Sequence, residues 1–192
     1  MNKVYRLSID ITEFPCYRIS CFDLGKSNRI LVLYKAKIRF SEGLFKEMHI
    51  DIYKYNQEIE AFKAMIIMIR KKFENRFHIN KNSIFTFIIH LNNVSPEEYE
   101  FLRSLGFKYH INSNIFTCPS GLFRIENINE ECYPMFIKEL IQKEESQKIA
   151  EIDDRDKRYE KIKKMLPSYL CNSEVYLDLI ILYIENLLKR NT

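Results

Sequence analysis

The sequence predicts a mixed α/β domain whose sheet is mainly antiparallel and carries two helices, followed by a C-terminal helical appendage. Three observations lead to this prediction. Polar and apolar residues alternate along most of the first 55 residues, the apolar spacing then becomes helical, and charge and helical pattern dominate after residue 125. A period of two is typical of strands with one buried face, and a spacing of three to four is typical of helices. We therefore predict an α/β domain at residues 1–125 and a charged helical tail at 126–192.

The first part of the predicted domain consists of strands. The alternating segments lie at residues 4–11, 17–22, 29–40 and 46–55. The connections between them are short, and residues 23–28 contain the Gly, Ser and Asn that suit turns. Short connections favour antiparallel neighbours, so these four segments are predicted to form an N-terminal meander.

Helical signals and an apolar strand follow. A helix capped by Asn56 is predicted, because apolar residues recur at helical spacing from Ile59 to Phe73. The almost continuously apolar segment 83–91 indicates a strand buried under helices. Ser95 followed by proline begins a second helix, and a glycine ends it. Residues 108–114 and 114–118 are predicted to form a hairpin or one bent strand, and residues 122–125 a last short strand.

Composition excludes several protein classes. Hydrophobic residues make up 46% and charged residues 29% of the chain, which is a globular mixture rather than a disordered one. The five cysteines are odd in number and form no C-x-x-C pair, so no disulfide is predicted. No signal peptide is recognisable, and the apolar stretch 175–188 is shorter than the roughly 20 residues of a membrane-spanning helix. A cytoplasmic protein without membrane contact is predicted.

The tail is predicted to contain helices at residues 131–149, 154–165 and 174–189. The last helix is apolar nearly all round, and its polar residues form a narrow stripe. A helix with so little polar surface favours a packing partner. We therefore predict a protein partner, or self-association, through residues 174–189.

Charge is unevenly distributed along the chain. Residues 1–125 carry 19 Lys and Arg against 12 Asp and Glu, a balance of +7, whereas residues 126–192 carry 11 against 14, a balance of −3. A basic body can attract nucleic acid. Arg70, Lys71 and Lys72 form the densest cluster and are the candidate phosphate contacts.

The segment 48–118 carries an order of elements found in one enzyme superfamily. A strand feeds a long helix, a second strand follows, and a short helix ends in the sequence Phe101-Leu-Arg-Ser-Leu-Gly-Phe107. This segment resembles the second half of the GNAT acyltransferase superfamily. The resemblance implies acyl-CoA as cofactor, with the thioester held between the strands 48–55 and 85–91. It implies that the backbone from Ile52 through Tyr53 to Gln57 contacts the cofactor and that Tyr99 is the candidate general acid.

The sequence departs from the pattern of the superfamily at two places. The cofactor loop there has the form [Gln/Arg]-x-x-Gly-x-[Gly/Ala], whereas this chain has Gln57, Glu60 and Phe62 at the three defined positions. The position of the usual tyrosine acid is Leu102. The leading interpretation is therefore a degenerate GNAT-like domain that acts mainly as a binding or regulatory protein. If it is active, an acyl-CoA-dependent N-acyltransferase is expected.

Two alternatives remain open at the level of sequence. Residues 19–28, with Asp23 after four strand residues, resemble the first strand of RNase H-like nucleases, which implies Asp23 as a ligand of a catalytic metal. That alternative is a nucleic-acid-processing or nucleic-acid-binding protein. The second alternative is a pure interaction module that uses the C-terminal helix. The four histidines have no metal-binding spacing, so they predict no metal site.

Overall fold

The computed structural model divides the chain into two compact units, Met1–Ile128 and Asn129–Thr192. Each unit is described separately below. The structure describes residues 5–13, 16–23, 31–42, 46–73, 85–124, 128–140, 143–165 and 174–189.

The first unit is built on one seven-stranded sheet with the order β1-β2-β3-β4-β5-β7-β6. Its strands are β1 Tyr5–Glu13, β2 Cys16–Asp23, β3 Leu31–Glu42, β4 Lys46–Lys54, β5 Phe85–Leu91, β6 Lys108–His110 and β7 Ile115–Pro119. Strands β4 and β5 are parallel, and the other neighbouring pairs are antiparallel. The predicted fold class, an α/β fold with a mainly antiparallel sheet, is confirmed.

Two helices connect the later strands. Helix α1, Ile59–Phe73, joins β4 to β5, and helix α2, Pro96–Ser104, follows β5. Ser95 caps α2 in a capping box with Glu98, and Gly106 takes a φ of +96° beyond its end, as its lack of a Cβ allows. The predicted cap of α1 is wrong. Asn56 lies three residues before the helix, and its N–H donates to the Leu33 carbonyl.

The predicted strand at residues 122–125 is also wrong over its described part. Leu122 and Phe123 both donate their N–H groups to the carbonyl of Pro119 and form a turn. The proline ends β7, and the turn carries Phe123 into the core, where it is 1% exposed.

Both helices of the first unit lie on the same face of the sheet. The α1 ring of Phe62 lies 5.4 Å from that of Tyr34 on β3, and the α2 ring of Tyr99 lies 6.0 Å from that of Phe116 on β7. The strand registers place Tyr34 and Phe116 on one face. The opposite face carries mostly charged and polar side chains, and we call it the polar face.

Over its described residues, the second unit contains a short 3-10 helix, Glu130–Cys132, and four α-helices. These are α3 Met135–Leu140, α4 Lys143–Ala150, α5 Arg155–Met165 and α6 Glu174–Lys189. The helix predicted over 131–149 is interrupted at Tyr133 and Pro134, which lie between the 3-10 helix and α3. Helix α6 contacts the three other α-helices of its unit. Its apolar residues between 177 and 187 are buried, except Ile181, and the Asn186 amide donates to the Tyr133 hydroxyl at 2.7 Å. Much of the apolar surface that predicted a partner is thus covered within the chain.

Two further sequence predictions can be compared with the described residues. Cys21, Cys118 and Cys132 are buried and are not joined in disulfides. Within the ranges given above, no helix has both the length and the apolar character needed to cross a membrane.

Candidate functional site

The parallel pair β4–β5 ends in a groove. The last paired residues of these two strands are Ile52 and Leu91, and beyond this point the strands are no longer paired. A cavity of about 260 Å³ lies there, lined by Ile52, Tyr53, Lys54, Tyr55, Asn92 and Asn93. We call it the sheet-end groove. Ligands of α/β proteins commonly bind outside the carboxyl ends of parallel strands, which makes this groove the first candidate site.

A buried carboxylate lies at the centre of a polar network beside the groove. Glu98 of α2 is 0% exposed. Its Oε2 accepts hydrogen bonds from Lys54 Nζ at 2.8 Å and from the Ser95 N–H at 2.9 Å, and its Oε1 accepts one from the Tyr34 hydroxyl at 3.1 Å. Lys54 also donates to the carbonyl of Asn93. The Lys54 side chain therefore connects the end of β4 with the segment that follows β5.

The same network fixes the turn before α1. The Tyr34 hydroxyl accepts the N–H of Glu58 at 2.9 Å, while the Leu33 carbonyl accepts those of Tyr55 and Asn56 at 2.9 and 3.2 Å. Burial raises the pKa of Tyr34 well above its ordinary value, and the charge of Glu98 adds to this effect. The hydroxyl therefore stays protonated and donates to Glu98. Three backbone donors of this turn are already used within the protein.

The structure brings together only part of the site implied by the superfamily. Ile52 and Tyr53 line the sheet-end groove. Gln57 is exposed and does not line it. The ring of Tyr99, the candidate general acid, lies 5.8 Å from the ring of Tyr109, and Tyr99 is also outside the groove lining. Leu102, at the position of the usual tyrosine, is 0% exposed and belongs to the core.

The candidate phosphate contacts differ in their surroundings. Arg70 is only 9% exposed, its Nε donates to the Phe123 carbonyl at 2.6 Å, and its guanidinium lies over the rings of Phe87 and Phe123. Arg70 is therefore a core residue rather than a surface phosphate contact, which corrects the prediction. Lys71 is half-buried, and Lys72 is exposed.

Asp23, the candidate nuclease ligand, ends β2 and is separated from β5 by β3 and β4. Neighbouring strands lie about 4.8 Å apart, so this aspartate is far from the end of β5. No acid follows β5 directly, where Asn92 and Asn93 stand. In the described part of the chain, no group of three or more His, Cys, Asp and Glu side chains is placed to hold a metal ion.

A histidine pair on the polar face was not predicted. His49 Nδ1 lies 3.2 Å from His90 Nε2, and His49 Nε2 lies 3.0 Å from Glu47 Oε2. On the other side, His90 Nε2 is 4.0 Å from Asp51 Oδ1, and Arg39 binds this aspartate with two hydrogen bonds. The alternation of β4 already places Glu47, His49 and Asp51 on one face. The missing information was the parallel pairing with β5, which sets His90 beside them.

Removing His90 is expected to reduce the acid sensitivity of the protein. Burial lowers the pKa of His90, His49 and Arg39 lower it further, and Asp51 opposes them. As the pH falls below about 6.5, the unfolded chain takes up a proton that folded His90 resists, so stability falls. The change in unfolding free energy with pH stays well under the limit for one proton, about 1.4 kcal/mol per pH unit, because the His90 side chain is 39% exposed. Melting temperatures between pH 7 and 5 should therefore fall less in His90→Gln than in the wild type.

His110→Gln is the control for this experiment. His110 lies on β6, where its Nε2 is 2.8 Å from Thr117 Oγ1, and it takes no part in the His49–His90 pair. Its variant should keep the acid sensitivity of the wild type. An unchanged pH dependence in His90→Gln contradicts the prediction.

Comparisons of the chain with protein-family models, with curated proteins and with solved structures found no match. The sheet-end groove, the network around Glu98 and the polar face are therefore the features from which a function can be inferred.

Proposed function

We propose that the first unit is a GNAT-like domain that no longer holds the diphosphate of acyl-CoA and acts as a binding domain rather than as an acyltransferase. Its elements support the scaffold. Strand β4 leads into the long helix α1, which returns to a parallel neighbour, β5, and then to the short helix α2. This is the order on which the resemblance rests. The sheet-end groove lies between the two strands to which the resemblance assigns the thioester.

The observation that carries the proposed loss of cofactor binding is the use of the turn before α1. A diphosphate bound at a helix start requires backbone N–H groups that are free to point at it. The N–H groups of Tyr55, Asn56 and Glu58 instead donate to Leu33 and Tyr34. Only Glu58 of these three lies within the loop 57–62, so a diphosphate bound there would have to break the hydrogen bond from the Glu58 N–H to the Tyr34 hydroxyl.

Charge and groove size support the same conclusion. Glu60 lies in the first turn of α1, where it forms an ion pair with Lys63 at 3.4 Å, and it adds negative charge near the helix start. The groove of about 260 Å³ falls below the roughly 300–1,000 Å³ of sites for drug-sized ligands, and Lys54 bridges its two walls. Both features are unfavourable for a ligand as large as an acyl-CoA.

Phe62 stands at the last defined position of the cofactor loop, where the superfamily has Gly or Ala. Phe62 is 0% exposed, and its ring lies 5.4 Å from that of Tyr34 and 6.0 Å from that of Phe101. The side chain therefore fills the core under α1 and does not obstruct the turn. The bound N–H group of Glu58 and the carboxylate of Glu60 are the features that oppose a diphosphate.

Isothermal titration of the full chain with CoA and with acetyl-CoA tests this proposal. We expect no saturable heat up to about 1 mM ligand, which corresponds to a binding free energy weaker than about −4 kcal/mol. We also expect no release of CoA thiol from acetyl-CoA in the presence of amine acceptors. A Kd below about 100 μM, or sustained thiol release, would overturn the proposed loss of cofactor binding.

A further inference from the structure

The polar face contains a second and larger groove. It has a volume of about 450 Å³, and its side chains come from β2, β3 and the end of β4. Its lining includes Arg18, Ser20, Lys35, Lys37, Tyr53 and Tyr55. We call it the polar-face groove. Three of these residues are cations and two are tyrosines, and no carboxylate lines the groove among the residues that the structure describes.

The strand registers arrange these side chains in rows across the sheet. Ser20, Lys35 and Tyr53 are register partners on three neighbouring strands, and Arg18 and Lys37 belong to the next row. Rows on one face are about 6.7 Å apart along a strand, and neighbouring strands are about 4.8 Å apart. The groove therefore presents cations and an aromatic ring side by side on a rigid sheet.

The two tyrosines of the groove are exposed to solvent and do not belong to the core. Tyr53 is 54% exposed and Tyr55 is 58% exposed, whereas Tyr34 is fully buried on the opposite face. The Lys35 ammonium lies 5.5 Å from the centre of the Tyr55 ring. A phosphate bound by Lys35 would hold its nucleotide within reach of that ring.

The acidic side chain of β4 nearest to the groove is already neutralised. Asp51 is the register partner of Lys37, but its carboxylate accepts two hydrogen bonds from Arg39, at 2.9 and 3.1 Å. Arg18 is the register partner of Asp10 on β1, so Lys35 and Lys37 are the two cations of the groove to which phosphate contacts are assigned. Positive grooves that carry exposed aromatic rings suit single-stranded nucleic acid, whose phosphates bind the cations and whose bases stack on the rings.

We propose that the polar-face groove binds single-stranded nucleic acid. Lys35 and Lys37 contact phosphates, and Tyr53 and Tyr55 stack against bases. An acidic polypeptide satisfies the cations but leaves the rings without stacking partners, and duplex DNA buries the faces of its bases. The two grooves share Tyr53 and Tyr55, but Lys35 and Lys37 line only the polar-face groove, so the lysine variants distinguish this proposal from the proposed loss of acyl-CoA binding.

Fluorescence anisotropy of the full chain with a labelled oligothymidylate of about twelve nucleotides tests the proposal. We expect saturable binding at low salt. Tyr53→Ala and Tyr55→Ala should each weaken the affinity by about 5- to 150-fold, the effect of losing one stacked base. Lys35→Gln and Lys37→Gln should each reduce the slope of log K against log salt concentration by about 0.7. Circular dichroism should show the fold unchanged, since these side chains are on the surface.

Arg103→Gln is the control, because Arg103 is an exposed cation on α2, on the other side of the sheet. It should bind the oligonucleotide as the wild type does. Polyglutamate is the control for charge alone, and any binding of it should be insensitive to Tyr53→Ala.

Each of the following results would overturn the proposal. The first is an absence of oligonucleotide binding at low salt, and the second is an unchanged affinity in both tyrosine variants. The third is a loss in Arg103→Gln equal to that in Lys37→Gln, and the fourth is an equal loss of polyglutamate binding in Tyr53→Ala. CoA binding that survives Lys35→Gln and Lys37→Gln, together with normal oligonucleotide binding, overturns only the proposed loss of cofactor binding.

Discussion

Replacement of Glu98 by alanine is expected to lower the free energy of unfolding by about 3–5 kcal/mol. The carboxylate is fully buried and accepts hydrogen bonds from Lys54, Tyr34 and the Ser95 backbone. Its removal leaves the Lys54 ammonium, itself only 14% exposed, without its charged partner. The cost of a buried unpaired charge exceeds that of the lost hydrogen bonds alone. Urea unfolding followed by far-ultraviolet circular dichroism measures this change.

Glu97→Ala is the matched control for Glu98→Ala. Both glutamates lie in the first turn of α2, but Glu97 is exposed. Its loss should change stability by no more than about 0.5 kcal/mol. The double variant Glu98→Ala with Lys54→Met should recover part of the loss, because no charge is then buried. A Glu98→Ala protein within about 1 kcal/mol of the wild type contradicts the central place of this carboxylate.

The contrast between α2 and its network shows what the sequence could predict. Ser95, Pro96 and the following acids are local signals, and the helix they predict begins where expected. From these signals, Glu98 is expected only to be one of the acidic residues that favour the first turn of a helix. Its partners Tyr34 and Lys54 are 64 and 44 residues away along the chain. Only the packing of α2 against the sheet brings them to this carboxylate.

The cations at the end of α1 show a second limit of prediction from local sequence. Arg70, Lys71 and Lys72 follow one another in sequence and were predicted together as phosphate contacts. Successive residues of a helix point about 100° apart, so three adjacent cations cannot share one environment. Arg70 faces the core, while Lys72 faces solvent. The periodicity of α1 contained this distinction, because Ile66, Ile69 and Arg70 follow at helical spacing.

The polar face depended on pairing that no local pattern specifies. Alternation along β4 correctly separated His49 and Asp51 from the apolar residues of that strand. The position of His90 beside them requires the parallel register of β4 with β5, and this register follows from the crossover through α1. The rows of the polar-face groove likewise require the registers of β2, β3 and β4. Individual strands were thus predictable, whereas the sites composed of several strands were not.

Replacement of Phe87 by alanine is expected to lower the free energy of unfolding by about 3–5 kcal/mol. Phe87 is 1% exposed at the middle of β5, and its ring lies 4.8 Å from that of Phe85, 5.2 Å from that of Phe123 and 6.5 Å from that of Phe107. Alanine leaves a cavity that residues fixed in a sheet cannot easily fill. It also removes the ring that lies 5.6 Å from the guanidinium of Arg70. Urea unfolding should show a lower midpoint with the same slope.

Phe87→Leu separates these two contributions. Leucine retains much of the apolar volume but gives no aromatic face to Arg70, so a smaller loss of about 1–2 kcal/mol is expected. Leu122→Ala is the surface control, because Leu122 is 59% exposed in the turn before Phe123, and its effect should stay near 0.5 kcal/mol. If Phe87→Ala costs no more than Phe87→Leu, the site can collapse around the missing ring. The rings around Phe87 would then not be a rigid support for the Arg70 side chain in the core.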